Sequence, residues 1–154
     1  MNEKLMADFM RKTRIYLDNC CFNRPYDDLD HIAIRLEAEA KFDIQHRILL
    51  GELELAWSYI MDYENLLNPF TDKREAIARW KHLAVVDIGD SERIVELAKK
   101  VALQGIKKKD SLHLASAIDA DCQYFITTDK KLLNKSFEQI RVVNPLDFIR
   151  WQGE

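Results

Sequence analysis

Apolar and polar positions change period several times along the chain, and no Pro/Gly/Ser-rich linker, internal repeat or low-complexity tract separates the segments. In "KLMADFMRK", Leu5, Met6, Phe9 and Met10 recur at helical spacing and predict a short amphipathic helix before the first strand. "RIYL" is rich in strand formers and runs into a polar loop containing Pro25. From Leu29 to about Leu50, Ile32, Ile34, Leu36, Ala40, Ile44 and Ile48 sit among charges, which predicts one long helix or two closely joined, ended by Gly51. "LELAWSYIM" predicts a second strand, and "DYENLLNPF" a helical turn that Asp62 could cap and Pro69 would stop. "DKREAIARWKHL" predicts a helix, "AVVDI" a third strand, and "SERIVELAKKVALQ" a helix capped by Ser91 and closed by Gly105. "KDSLHLASAIDA" predicts a helix, "QYFITT" a fourth strand, "DKKLL" a short helix and "IRVV" a fifth strand before Pro145.

Strands that alternate with helices imply βαβ units, hence an α/β protein with a central, mostly parallel sheet of about five strands flanked by helices. A single domain over residues 14–150, preceded by an N-terminal helical extension over residues 1–13, accounts for the pattern. Ligands of such sheets sit beyond the carboxyl ends of the strands. Asp18 directly follows "IYL", Glu64 lies shortly after "AWSYI", Asp129 directly follows "FITT", and Asp110 opens the helix at "KKKDSLHLASA". Each has an ordinary reading: Asp18 as a turn residue, Asp110 and Asp129 as helix caps, Glu64 as a solvated helix residue. Their common address at one sheet edge weakens those readings.

Composition narrows the classes. With 154 residues, 47% hydrophobic and 32% charged, the chain can bury a core of its own. A formal net charge of −3 supplies no bulk basic field for nucleic acid or an anionic membrane, so contact with either must be local. No apolar run approaches the roughly 20 residues of a membrane span, and "MNEKLMADFMRKT" lacks a signal-peptide core, so a cytoplasmic protein without membrane contact is expected. Cys20 and Cys21 are adjacent and Cys122 is alone, which predicts reduced, partly buried thiols rather than a metal or redox role. The four histidines show no H-x3-H spacing, and the four glycines form neither a G-x-G-x-x-G nor a phosphate-binding loop.

Two like charges about 4 Å apart repel by roughly 4 kcal/mol at an effective dielectric near 20. A naked acid cluster therefore weakens a fold, and a divalent cation removes the penalty. Oxygen donors without His or Cys favour Mg2+ or Mn2+ over zinc. Such clusters serve phosphodiester chemistry, because the metal polarises a phosphoryl oxygen and lowers the pKa of bound water.

"YLDNCCFNRPYDD", "SYIMDYEN", "KKKDSLHLASAI" and "YFITTDKKLL" together resemble PIN-domain proteins, the fold of many toxin ribonucleases of the VapC type. The likeness runs from about Arg14 to Phe148. It implies that Asp18, Glu64, Asp110 and Asp129 hold Mg2+ or Mn2+ and activate water for attack on RNA. It also implies a possible antitoxin partner and a possible homodimer. The chain differs from the compact toxin pattern in its residues before the first strand and in the longer, more polar "NCCFNRPYDD" loop.

Around these acids, Lys107, Lys108 and Lys109 form the one dense basic run, and Lys130 and Lys131 follow Asp129. Arg24, Lys109, Lys130 and Thr128 are the candidate RNA contacts, against the ordinary reading of solvated lysines and a strand threonine. His113, one turn from Asp110, is expected to pack rather than to act as a base, and Asp119 and Asp121 to lie solvated at the far end of that helix. The expectation is thus a metal-dependent endoribonuclease. The alternative is a non-catalytic PIN-like module that binds RNA or protein.

Overall fold

A computed structural model describes residues 2, 3, 5, 11–22 and 32–152. Most of the segment predicted as an amphipathic helix, Leu5 to Met10, lies outside them. Five parallel strands, β1 (Arg14–Leu17), β2 (Glu54–Ser58), β3 (Val86–Ile88), β4 (Tyr124–Ile126) and β5 (Arg141–Val143), form one sheet in the order β3-β2-β1-β4-β5. The helices of the described residues are α1 (Ile32–Leu49), α2 (Tyr59–Leu66), α3 (Thr71–Trp80), α4 (Glu92–Ala102), α5 (Lys108–Asp119), α6 (Lys130–Leu133) and α7 (Pro145–Gln152). Short 3-10 turns occupy Asn19–Phe22 and Lys81–Leu83. The expected α/β class and parallel sheet are what is found.

The central strands are unbroken apolar runs because helices flank the sheet and leave no wet face for alternation. Ile15, Tyr16 and Leu17 of β1, Leu55, Ala56 and Trp57 of β2, and Phe125 and Ile126 of β4 are all buried. α4 packs along α5, where Ile94 and Ala98 meet the small Ala115, and α1 packs along α7. Small residues at Ala115 and Ala117 let α5 approach closely.

Two local expectations are corrected, and one helix is added to those expected. The second strand stops at Ser58 rather than running to Met61, because the Ser58 hydroxyl accepts from the Met61 amide and starts α2 there. Asp62 caps nothing: it accepts from the Trp57 indole at 2.9 Å and from Lys81 at 3.0 Å. A final helix, α7, follows Pro145, with Asn144 Oδ1 accepting from the Asp147 amide at 2.7 Å. Two other expectations hold: Ser91 caps α4 through the Ile94 amide, and Gly51 and Gly105 take the positive φ (74° and 84°) that ends their helices. The helix expected from Leu29 is described from Ile32 onward, and Leu29, Asp30 and His31 lie outside the described residues.

The order of strands places a switch point between β1 and β4. From β1 the chain moves outward through β2 to β3, then returns across the sheet to lay β4 against the other side of β1. Leu17 pairs with Ile126, so the residues just past them, Asp18 and Thr127, are neighbours at the carboxyl edge.

Candidate active site

Asp18 is fixed first by the backbone: its amide donates to the Ile126 carbonyl at 2.9 Å, extending the β1–β4 ladder by one bond. Its carboxylate then accepts from the Thr127 hydroxyl at 2.6 Å and from the Asn19 amide at 2.8 Å. Thr127 is fully buried, and its hydroxyl oxygen also accepts from the Asp129 amide at 3.1 Å. One threonine therefore sets both strand-end acids. Asp129 serves as the N-cap of α6, accepting from the Lys131 amide at 2.9 Å with one carboxylate oxygen. Its ordinary role and its proposed one are compatible, because capping engages that single oxygen.

Asp110 lies in the first turn of α5, yet the N-cap position belongs to Lys107 and carries no side-chain cap. The simple reading of Asp110 as a cap thus fails. Burial, and then the charges of Asp18 and Asp129, push its carboxyl above the usual carboxylate value. That mutual repulsion marks Asp18, Asp110 and Asp129 as one electrostatic group.

Glu64 differs. Burial raises its carboxyl, but the hydrogen bonds and charges of His113 and Lys109 outweigh that and hold it at about 2. Lys109 Nζ stands 2.9 Å from Glu64 Oε2, and His113 Nε2 stands 3.4 Å from the same oxygen. The Lys109 ammonium is held above its ordinary value by that hydrogen bond, and also by the charges of Asp110 and Asp18. Behind Glu64 the polar chain continues inward: His113 Nδ1 is 2.6 Å from the Tyr16 hydroxyl, which is 2.6 Å from the Ser58 hydroxyl. Tyr16, Ser58 and His113 are all buried, and burial raises the Tyr16 phenol well above its ordinary value, so it stays protonated. Because the Glu64 carboxylate only accepts, His113 Nε2 carries the hydrogen that faces it.

All four predicted acids therefore lie past the carboxyl ends of β1, β2 and β4 or on the adjoining α5, in three electrostatically linked aspartates and one paired glutamate. Of the candidate RNA contacts, Lys109 is taken up by Glu64, Lys130 is exposed, and the Thr128 hydroxyl is 3.2 Å from Cys20 Sγ. Arg24 lies outside the described residues. His113 packs as expected, but its two polar contacts went unforeseen, as did those of Thr127 and Tyr16. Asp119 pairs with Arg93 and Asp121 is exposed, both far from the acids along α5.

The donor set suits a hard divalent cation: Asp18, Asp110 and Asp129 offer oxygens only, and the repulsion at Asp110 is what such a cation relieves. Asn19 Oδ1, one residue past Asp18, is buried without a hydrogen-bond partner. Among the described residues, however, no three His, Cys, Asp or Glu side chains are grouped closely enough to hold a metal ion, so these acids would have to turn towards it.

No protein-family model matches the chain. No curated protein matches it. Among solved structures, it is similar to a chain of VapBC2 from Rickettsia felis, bound to a DNA fragment from their promoter, with a TM-score of 0.54 and 15% sequence identity over 86% of this chain and 98% of that one. Nearly the full length of that chain is matched, which supports a VapC-like fold. Among the described residues no helix is long and apolar enough to cross a membrane.

Proposed function

We propose that the chain is a Mg2+- or Mn2+-dependent endoribonuclease whose site is built on Asp18, Asp110 and Asp129, with Glu64 at its margin. The observation that carries this reading is the gathering of three carboxylates at the switch point of a parallel sheet, where burial and then the charges of Asp18 and Asp129 push the Asp110 carboxyl up. Likeness to a chain of a VapBC2 complex supports a nuclease of the toxin class.

Asp18, Asp110 and Asp129 would hold the cation. When bound, it would supply water of lowered pKa and positive charge opposite the phosphoryl oxygens. Thr127 holds the Asp18 carboxylate and the Asp129 backbone in register, so the two acids start from adjacent, fixed positions on the chain. Lys109 neutralises Glu64 and lies in the fields of Asp110 and Asp18, so its charge is taken up at the margin of the site.

A protein partner that covers the site, as an antitoxin would, belongs to the same reading, as does a second copy of the chain. Tyr63, Leu66, Leu67 and Phe70 support it: they recur at helical spacing through α2 and just beyond, and all are more than half exposed.

The test is cleavage of a mixed single-stranded RNA by the purified chain in EDTA, Mg2+ or Mn2+, beside Asp18→Asn and Asp110→Asn. Cleavage that needs the metal and disappears in both variants is expected. Equal cleavage in wild type and variants defeats the proposal. A folded protein that binds RNA but never cleaves it would favour the non-catalytic module.

A further inference from the structure

The lysine that sequence singled out beside Asp110 is not free to meet a substrate, since Lys109 is bound to Glu64. Other cations are. A cavity of about 210 Å3 opens beside the acids, lined by Lys107, Asp110, Asp129, Lys131, Leu132 and Lys135. Leu132 is buried and anchors α6 to the core. Lys131 and Lys135 are four residues apart, and the Lys135 amide still donates to the Leu132 carbonyl, so both stand on one side of that turn. Lys107 joins them from the start of α5.

These three are exposed, and among the described residues none has a carboxylate within 4.0 Å. Elsewhere Lys41 pairs with Glu37, Lys81 with Asp62 and Asp87, Lys99 with Glu96 and Lys109 with Glu64. Unpaired cations gathered around a hollow raise the local concentration of anions. Asp110 and Asp129 also line the hollow, so whatever sits in it abuts the acid cluster.

We infer that this cavity is a phosphate subsite for single-stranded RNA: Lys107, Lys131 and Lys135 hold a backbone phosphate next to the one presented to Asp18, Asp110 and Asp129. The inference rests on the nuclease reading for the identity of the polymer. The lysines act by charge and carry no base preference, so the subsite sets the position of the strand rather than its sequence.

Binding is the measurement, made in EDTA so that no metal-dependent turnover intrudes. Fluorescence anisotropy of a labelled single-stranded RNA oligomer is followed against KCl for the full chain, for Lys131→Ala/Lys135→Ala, and for Lys99→Ala/Lys100→Ala on the exposed side of α4. Substitution of exposed side chains leaves the core and the Asp129 cap, which uses the Lys131 backbone, in place. Loss of two phosphate contacts lowers affinity about tenfold at low salt and flattens the log–log salt slope by about 1.4, while the α4 pair changes neither. An unchanged slope in Lys131→Ala/Lys135→Ala, an equal loss in the α4 pair, or no RNA binding by wild type overturns the subsite. Failure of the two readings is separable. Cleavage that persists in Asp110→Asn removes the nuclease reading and leaves the lysine effect standing. Cleavage lost in Asp110→Asn with an unchanged salt slope removes only the subsite.

Discussion

Glu64 and Asp110 lie at the same edge of the sheet and receive opposite treatment. Glu64 is matched on every side: Lys109 and His113 share one of its oxygens, and a buried chain through Tyr16 and Ser58 supports His113. Asp110 is burdened by burial and then by the charges of Asp18 and Asp129, and its carboxyl rises as Glu64's falls. A fold selected for stability alone has no reason to leave three acids opposed beside a compensated fourth. The difference teaches that the site has a finished half, whose charges are paired within the protein, and an unfinished half, whose charge the proposed cation would balance.

The largest expected effect comes from removing a carboxylate from the unfinished half. Asp18→Asn or Asp110→Asn should lower RNA cleavage by at least about a hundredfold, roughly 2.7 kcal/mol of transition-state stabilisation. Removing a member of the finished half should instead strike stability. His113→Ala removes one of the two partners of the buried Tyr16 hydroxyl and of Glu64, leaving Ser58 and Lys109, which costs about 1–3 kcal/mol and about 2–12 °C in Tm. Thermal denaturation checks this, and a Tm within a degree of wild type would mean that the buried chain contributes nothing.

How much of this was legible before the structure follows the same division. The positions of Asp18 and Asp129 at the sheet edge were legible because strand ends are readable from the apolar runs "RIYL" and "YFI", and that of Asp110 from the helix start at "KKKDSLHLASA". The Ser58–Tyr16–His113–Glu64 chain was not, because it joins β2, β1, α5 and α2 through contacts between residues 42, 97 and 49 positions apart in sequence. Local pattern has no access to such pairings. The boundary at Ser58 was missed for a different reason: a single serine stands within the otherwise apolar and aromatic "AWSYIM", and a short apolar run does not distinguish strand from buried helix. α7 was missed although its signal is present, with Asn144 before Pro145 and an acid at Asp147. Lys135 drew no notice because only the turn after α6 brings it beside Lys131 and Lys107.

A smaller effect separates the halves by pH. The carboxyl of Glu64 lies at about 2 in the folded chain, below its ordinary 4.5, so the stability it contributes is present above about 4.5 and is lost as pH falls towards 2. Glu64→Gln should cost about 1–3 kcal/mol at neutral pH, and the gap in Tm between variant and wild type should close over that same window. A gap independent of pH would show that Glu64 acts through packing and not through its charge.

The smallest effect has the opposite sign. The carboxyl of Asp110 lies above its ordinary 3.8 in the folded chain, chiefly through burial and then through Asp18 and Asp129, so it binds a proton more tightly folded than unfolded. Its contribution is therefore most favourable at low pH and declines as pH rises from the ordinary value through the raised one. At pH 7 in EDTA the ionised Asp110 opposes folding, and Asp110→Asn, the variant expected to lose cleavage, should raise Tm. The group is partly solvated, so screening limits the gain to well under about 1 kcal/mol, or ~1–2 °C. Added Mn2+ should reverse the order: it stabilises wild type by mass action and leaves the variant nearly unmoved. A variant less stable than wild type in EDTA would show that the three aspartates are not in conflict, and the unfinished half would lose its physical basis.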